Sequence, residues 1–257
     1  MTEDTLEALR RIGIRASRDA VVAWLAHATK SRLGATEVVE QLVALETRER
    51  DARNLARRTR TATLGPLSAL DTFDWNHPRA IDRPLYELLL DLDFVARAEN
   101  VLFRGQSGVG KTMLAQNIAL HAVQQGKTVR FSTLAAVLAD LLRQESLPAV
   151  ERRLKRYTAP DVLVLDELGY LPCDSRSADL LYNIVSRRHE KKSTVITTNL
   201  AFKQWSTVFP GAACVGALVD RFAQHCHTMD IDADSWRQKP VLPSGSKPKT
   251  SSKKPKT

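Results

Sequence analysis

The stretch Gly105-Gln-Ser-Gly-Val-Gly-Lys111-Thr112 decides the fold of this chain. It satisfies G-x-x-x-x-G-K-[ST] in full, follows the short apolar run Val101-Leu102-Phe103 and precedes the helical Met113 to Gln124. Strand, glycine-rich loop and helix in that order form the frame in which backbone amides curl round a phosphate and a helix N-terminus faces it. Gly105, Gln106, Ser107, Gly108, Val109 and Gly110 are then expected to supply the loop. Lys111 would reach the β- and γ-phosphates, and the Thr112 hydroxyl would ligate Mg²⁺. A bare glycine turn reproduces two or three of these residues, not the whole motif between a strand and a helix.

The complementary half of such a site is the apolar strand Val162-Leu-Val-Leu-Asp166-Glu167. Asp166 is expected to hold Mg²⁺, and Glu167 to orient and polarise the water that attacks the γ-phosphate. That pairing favours hydrolysis over transfer to a second substrate's hydroxyl. The next strand, Thr194-Val-Ile-Thr-Thr198-Asn199, ends in an amide able to touch the γ-phosphate or that water; Asn is also a common turn residue.

Around these motifs, β-branched runs at 100–104, 128–132, 162–166, 194–198 and 227–231 alternate with helical segments, the pattern of a parallel α/β sheet. Residues 1–64 instead show apolar positions at helical spacing and read as a small all-α N-terminal domain of three helices, with Thr36 as the cap of the second apolar stripe's helix. A connector at 65–80, an α/β domain at 81–242 and a disordered basic tail at 243–257 complete the plan.

With 257 residues, one sizeable domain and a smaller one fit. The formal charge is +9, of which Lys247, Lys249, Lys253, Lys254 and Lys256 contribute five, leaving +4 for the rest. Such an excess points to a polyanion such as nucleic acid. Candidate DNA contacts are Arg50, Arg53, Arg57, Arg58 and Arg60 on the third helix, and Arg152, Arg153 and Arg156 between the second and third strands. Solvated helix faces are the alternative, since Glu46, Glu49 and Asp51 can pair with some of the first group. No run approaches a membrane span and no signal peptide is visible, so a cytoplasmic protein with no membrane partner is expected. Cys173, Cys214 and Cys226 form no C-x-x-C pair, and His225-Cys226-His227 offers two alternating ligands without a third.

The order of phosphate loop, Asp-Glu strand and Thr-Thr-Asn strand resembles AAA+ ATPases, in which the Asn is called sensor 1. More narrowly, residues 73–239 resemble the DnaC-like clade and, within it, the IstB-type helper ATPases of insertion-sequence transposition. The matching stretches include Phe73-Asp74-Trp75, Asp166-Glu-Leu-Gly-Tyr-Leu-Pro172, Phe202-x-x-Trp205, Asp220-Arg221-Phe222 and Ser235-Trp236-Arg237. Met113 stands where the family usually has His, Gln106 where Pro is common, and the lysine tail is not part of the pattern. The resemblance implies a P-loop AAA+ domain with a five-stranded sheet of order 5-1-4-3-2. It also implies an ATP- and Mg²⁺-dependent homo-oligomer that assembles on duplex DNA, deforms it and engages a partner transposase. Arg221 matches the arginine projected into a neighbouring subunit's γ-phosphate, with Arg187 and Arg188 as competitors, and Arg237 stands where a further sensor arginine could act. A replicative helicase loader of the same clade, binding single-stranded DNA, is the alternative.

Overall fold

The computed structural model describes residues 3–170 and 174–236. The amino-terminal stretch forms α1 (Glu3–Arg11), α2 (Arg18–Lys30) and α3 (Ala35–Ala62), joined by a small apolar cluster of Leu6, Ala16, Val21 and Leu45. Glu46, only 6% exposed, is their polar hub and accepts the Arg15 backbone N–H at 2.7 Å. A buried carboxylate needs partners, and Arg50 and Arg53 reach it at 3.2 and 3.1 Å. Burial pushes the Glu46 pKa up, but hydrogen bonds from Arg15 and Arg50 outweigh it and leave it lowered.

The cap expected at Thr36 is not the one formed. Gly34 is the N-cap of α3, and Glu37 Oε2 accepts the Gly34 backbone N–H at 3.0 Å. The acidic side chain three residues on satisfies an amide that the helix leaves without a partner.

At its other end α3 enters the main body. Ala62 and Leu64 lie in the same apolar core as Val101 and Phe103 of the sheet. The Thr63 hydroxyl donates to the Phe131 carbonyl at 2.7 Å, and Arg58 Nε donates to the Val123 carbonyl at 3.2 Å. The end of this helix therefore covers the sheet's edge.

The sheet contains β1 (Asn100–Gly105), β2 (Val129–Thr133), β3 (Val162–Leu168), β4 (Ser193–Thr198) and β5 (Cys226–Ile231). Its order is β2-β3-β4-β1-β5, the expected one read from the opposite edge, and every pairing is parallel. Strand side chains alternate in direction, so the inner strands β1, β3 and β4 each feed two cores. Val101, Phe103, Val162, Val164 and Val195 pack under α4 (Arg83–Leu90), α5 (Asp93–Ala96) and α6 (Lys111–Gln124). Leu102, Leu163, Leu165 and Ile196 pack on the other face. There they meet α7 (Leu134–Leu142), α8 (Leu147–Thr158), α9 (Ser175–Arg188), α10 (Trp205–Val208) and α11 (Val215–Ala223). Burial on both faces explains why these strands read as continuous apolar runs. The parallel order puts the carboxyl ends of β1, β3 and β4 side by side, where such folds bind ligands.

Arg188 anchors the second face. It is 1% exposed and donates to Thr194 Oγ1 and to the carbonyls of Tyr157, Thr158, Pro160, Asp161 and Ser193. Burial pulls its pKa down to about 9, with the charge of Asp161 opposing. These bonds tie the ends of α8 and α9 to the start of β4. Arg188→Met should lower the unfolding free energy by about 3–5 kcal/mol, because acceptors it now pairs would be left buried and unsatisfied. Urea unfolding followed by circular dichroism measures the change.

Candidate functional site

The loop from Gly105 to Lys111 turns tightly between β1 and α6. Gly108 and Gly110 have φ of +82° and +96°, values that favour glycine. A Cβ at Gly110 would also lie 2.6 Å from the Phe73 ring. Lys111 Nζ donates to the carbonyls of Gly105 and Gln106 at 2.8 and 2.6 Å, so the ammonium is drawn over the mouth of its own loop. Ser107, Gly108, Val109, Gly110, Lys111 and Thr112 line one wall of a cavity of about 350 Å³.

The opposite wall comes from β3 and β4. Asp166 is 4% exposed, and the Thr112 hydroxyl sits 3.0 and 3.1 Å from its two carboxylate oxygens. Glu167, the next residue, is exposed and lines the cavity. Its φ of +65° is a left-handed conformation that a side chain rarely adopts and that costs of order 1–3 kcal/mol. The strain coincides with a register irregularity between Leu165 and Leu168 against β4. An extra residue there bends the strand end and re-aims its side chains. Asn199 lines the same cavity.

One member of the site was not singled out from the sequence. Thr197 Oγ1 donates to Asp166 Oδ1 at 2.5 Å and accepts the Glu167 backbone N–H at 3.0 Å. One hydroxyl thus sets both acidic residues. The Thr-Thr-Asn triplet was its only trace, and a threonine inside a strand is ordinary.

The third side is aromatic. Phe73 and His77, from the connector, line the cavity with Trp236. The His77 and Trp236 rings meet edge to face at 4.8 Å. The Trp236 backbone N–H donates to the Gly108 carbonyl at 3.0 Å, and Arg79 holds Asp232 and Asp234 at 2.8 and 3.1 Å. The chain after β5 is therefore strapped across the phosphate loop.

The candidate arginines separate by place. Arg188 is buried structure, which removes it as a residue reaching another subunit. Arg187 is engaged by Glu151 through two bonds of 2.8 and 2.7 Å. Arg221 is half-buried, with its guanidinium 4.9 Å from the Tyr182 ring and bonded to Ser186 Oγ. Arg237 lies outside the described residues, as do Leu171, Pro172, Cys173 and the lysine tail.

Among the candidate DNA contacts, Arg50 and Arg53 fold back onto Glu46 and onto the carbonyls of Gly13 and Arg15 at 2.9 and 3.0 Å. Arg57 reaches Asn54 at 3.5 Å, and Arg58 is spent on Val123. Arg153 makes two bonds to Asp140, of 2.7 and 2.5 Å. Arg60, Arg152 and Arg156 are exposed. The ring of His227 is held by Glu99 at 2.8 Å.

Residues 7–243 match the family described as IstB-like ATP binding protein. The chain belongs to that family. A relative from Pseudomonas aeruginosa, named as the ATP-binding protein of insertion sequence IS21, is 34% identical over 219 residues, 85% of this chain and 83% of that one. The ATP-binding protein of insertion sequence IS5376 from Geobacillus stearothermophilus is 29% identical over 237 residues, 92% of this chain and 94% of its own. Solved structures share the fold of this IstB-like chain. DnaI superposes with a TM-score of 0.54 at 20% identity, covering 64% of this chain and 90% of that one. AMPPCP-bound DnaA from Aquifex aeolicus superposes with a TM-score of 0.56 at 19% identity, covering 66% and 52%. Among the described residues no helix is long and apolar enough to cross a membrane.

Thr197→Val keeps the shape of the side chain and deletes the hydroxyl. On the hydrolase reading proposed below, it should reduce kcat by roughly 10–100-fold, as loss of a partner that orients a metal-holding side chain does, while nucleotide affinity changes little. Steady-state phosphate release and nucleotide titration separate the two effects.

Proposed function

We propose that this chain is an ATP hydrolase of an insertion sequence that assembles as an oligomer on duplex DNA and engages a partner transposase. The observation that carries the reading is the convergence of Lys111, Thr112, Asp166, Glu167 and Asn199 at the ends of three adjacent parallel strands. Family membership supports the insertion-sequence role over that of a helicase loader.

The donor set fits Mg²⁺, a hard cation held through oxygen ligands and retained waters. Thr112 Oγ1 and the Asp166 carboxylate already lie together, and they would hold it. Bound there, Mg²⁺ would neutralise charge on the β- and γ-phosphate oxygens. Lys111 moves from the loop carbonyls onto the triphosphate. Glu167 orients the attacking water and accepts its proton, and Asn199 holds that water or a γ-phosphate oxygen. Phe73, His77 and Trp236 offer the adenine an apolar, aromatic wall.

Among the described residues, no arginine lines the cavity. The charge developing on the γ-phosphate calls for another cation, which Arg221 of a neighbouring subunit supplies. Hydrolysis then depends on assembly, and ATP acts as both fuel and glue.

Size-exclusion chromatography and DNA binding with ATP plus Mg²⁺, with ADP, and without nucleotide test this. Multimers that form on duplex DNA only with ATP, and vanish in Lys111→Ala, are expected. Preference for single strands would favour the loader instead, and nucleotide-independent monomers would overturn the shared site. Glu167→Gln should slow hydrolysis by about 100-fold or more and leave the ATP-bound assembly trapped on DNA.

A further inference from the structure

Two basic clusters far apart in sequence meet at the outer edge of the sheet. Arg60, from the last turn of α3, and Arg156, from the last turn of α8, flank Arg130 of the edge strand β2. Together with Thr61, Thr63 and Thr128 they line a cavity of about 430 Å³ that shares no residue with the nucleotide cavity. Arg130 was not among the residues read from the sequence.

Arg130 is the unusual member. Nη1 donates to the Thr61 carbonyl at 3.2 Å, but Nε is buried with no hydrogen-bond partner. A buried donor without an acceptor calls for an explanation, and a bound anion would supply one. Burial lowers the Arg130 pKa and the charge of Arg156 adds to the effect, with Tyr157 and Asp140 opposing it in part. The carboxylates nearby are committed elsewhere. Asp140 is taken by Arg153 and by the Tyr157 hydroxyl at 2.5 Å, and Asp161 by Lys192 and the Thr128 hydroxyl. No acidic residue lines the cavity among the described residues. Arg156 repels Arg130 across a cavity that no carboxylate lines among the described residues, and an anion between them reverses that balance.

We propose that Arg60, Arg130 and Arg156 form a phosphate-binding site for the backbone of duplex DNA. The assignment rests on the reading of the protein as a DNA-assembled ATPase. Guanidiniums match phosphate oxygens in pairs. Among the described residues, no aromatic side chain lines the cavity on which a base could stack, so it grips backbone rather than bases. Exposed Arg152, on the same helix as Arg156, extends the positive surface.

The test uses the full chain with ATP and Mg²⁺, a fluorescent duplex and a series of salt concentrations. Two variants are compared, Arg130→Gln and the doubly substituted Arg60→Gln/Arg156→Gln, whose positions are exposed and whose folding is not at stake. Both should bind duplex roughly tenfold more weakly, with the slope of log affinity against log salt reduced by about one for each phosphate no longer held. ATP hydrolysis without DNA and the melting temperature should stay at the wild-type level. Weaker binding with an unchanged salt slope would mark the arginines as structural and overturn the assignment. Wild-type affinity in both variants, while wild-type protein still assembles on duplex with ATP, would overturn this site and leave the proposed function standing. A wild-type protein that binds no duplex would instead remove the proposed function, and this site with it. Inorganic phosphate provides the control for a free anion: if it raises the melting temperature of wild type and not of Arg130→Gln while duplex binding is equal in both, the cavity holds free phosphate and the DNA assignment fails.

Discussion

A buried carboxylate at the end of β3 organises this molecule. At 4% exposure the Asp166 side chain needs donors, and they come from two other elements: Thr112, at the start of α6, and Thr197, near the end of β4. Satisfying one side chain therefore brings together the phosphate loop, the acidic strand and the strand that leads into Asn199. The same Thr197 holds the backbone of Glu167 in its strained conformation. The geometry of the site is in this sense a consequence of hydrogen-bond satisfaction, reinforced by inner strands buried on both faces.

The chain's many arginines divide between architecture and surface. Glu46 gathers Arg50 and Arg53 into the joint between the first helices. Arg188 replaces a carboxylate partner with backbone carbonyls and locks α8, α9 and β4 together. Arg187 and Arg153 are neutralised by Glu151 and Asp140. Exposed Arg60 and Arg156 meet Arg130 in one cavity where α3, β2 and α8 come together, and no acidic residue lines it among the described residues. Charge counts describe the total, whereas function depends on the residues that internal acceptors leave over.

The phosphate loop is enclosed from both ends of the α/β region. Phe73 and His77 come before the sheet and Trp236 after it, and Arg79 ties the two stretches through Asp232 and Asp234. A nucleotide entering the cavity meets both. A nucleotide there would contact both the connector that leads back to α3 and the chain that leaves β5.

Much of this was legible in the sequence. The full loop motif, the apolar strand ending in Asp166-Glu167 and the alternation of short β-branched runs with helices specify a parallel α/β sheet, because each depends on near neighbours in the chain and on periodicity. The strand order and the family came through a resemblance, carried by stretches such as Asp166-Glu-Leu-Gly-Tyr-Leu-Pro172. Tertiary structure alone decided the rest. The pairing of Thr197 with Asp166 joins residues on different strands. The burial of Arg188 among its acceptors depends on how two helices meet a strand. The capping of α3 by Glu37 rather than Thr36 turned on which side chain reached the free amide. Arg60, Arg130 and Arg156 share a cavity only because β2 is the sheet's edge and two helices end beside it. Local pattern determines what an element is; which polar groups are left without a partner, and so available for chemistry, is settled only when the elements pack.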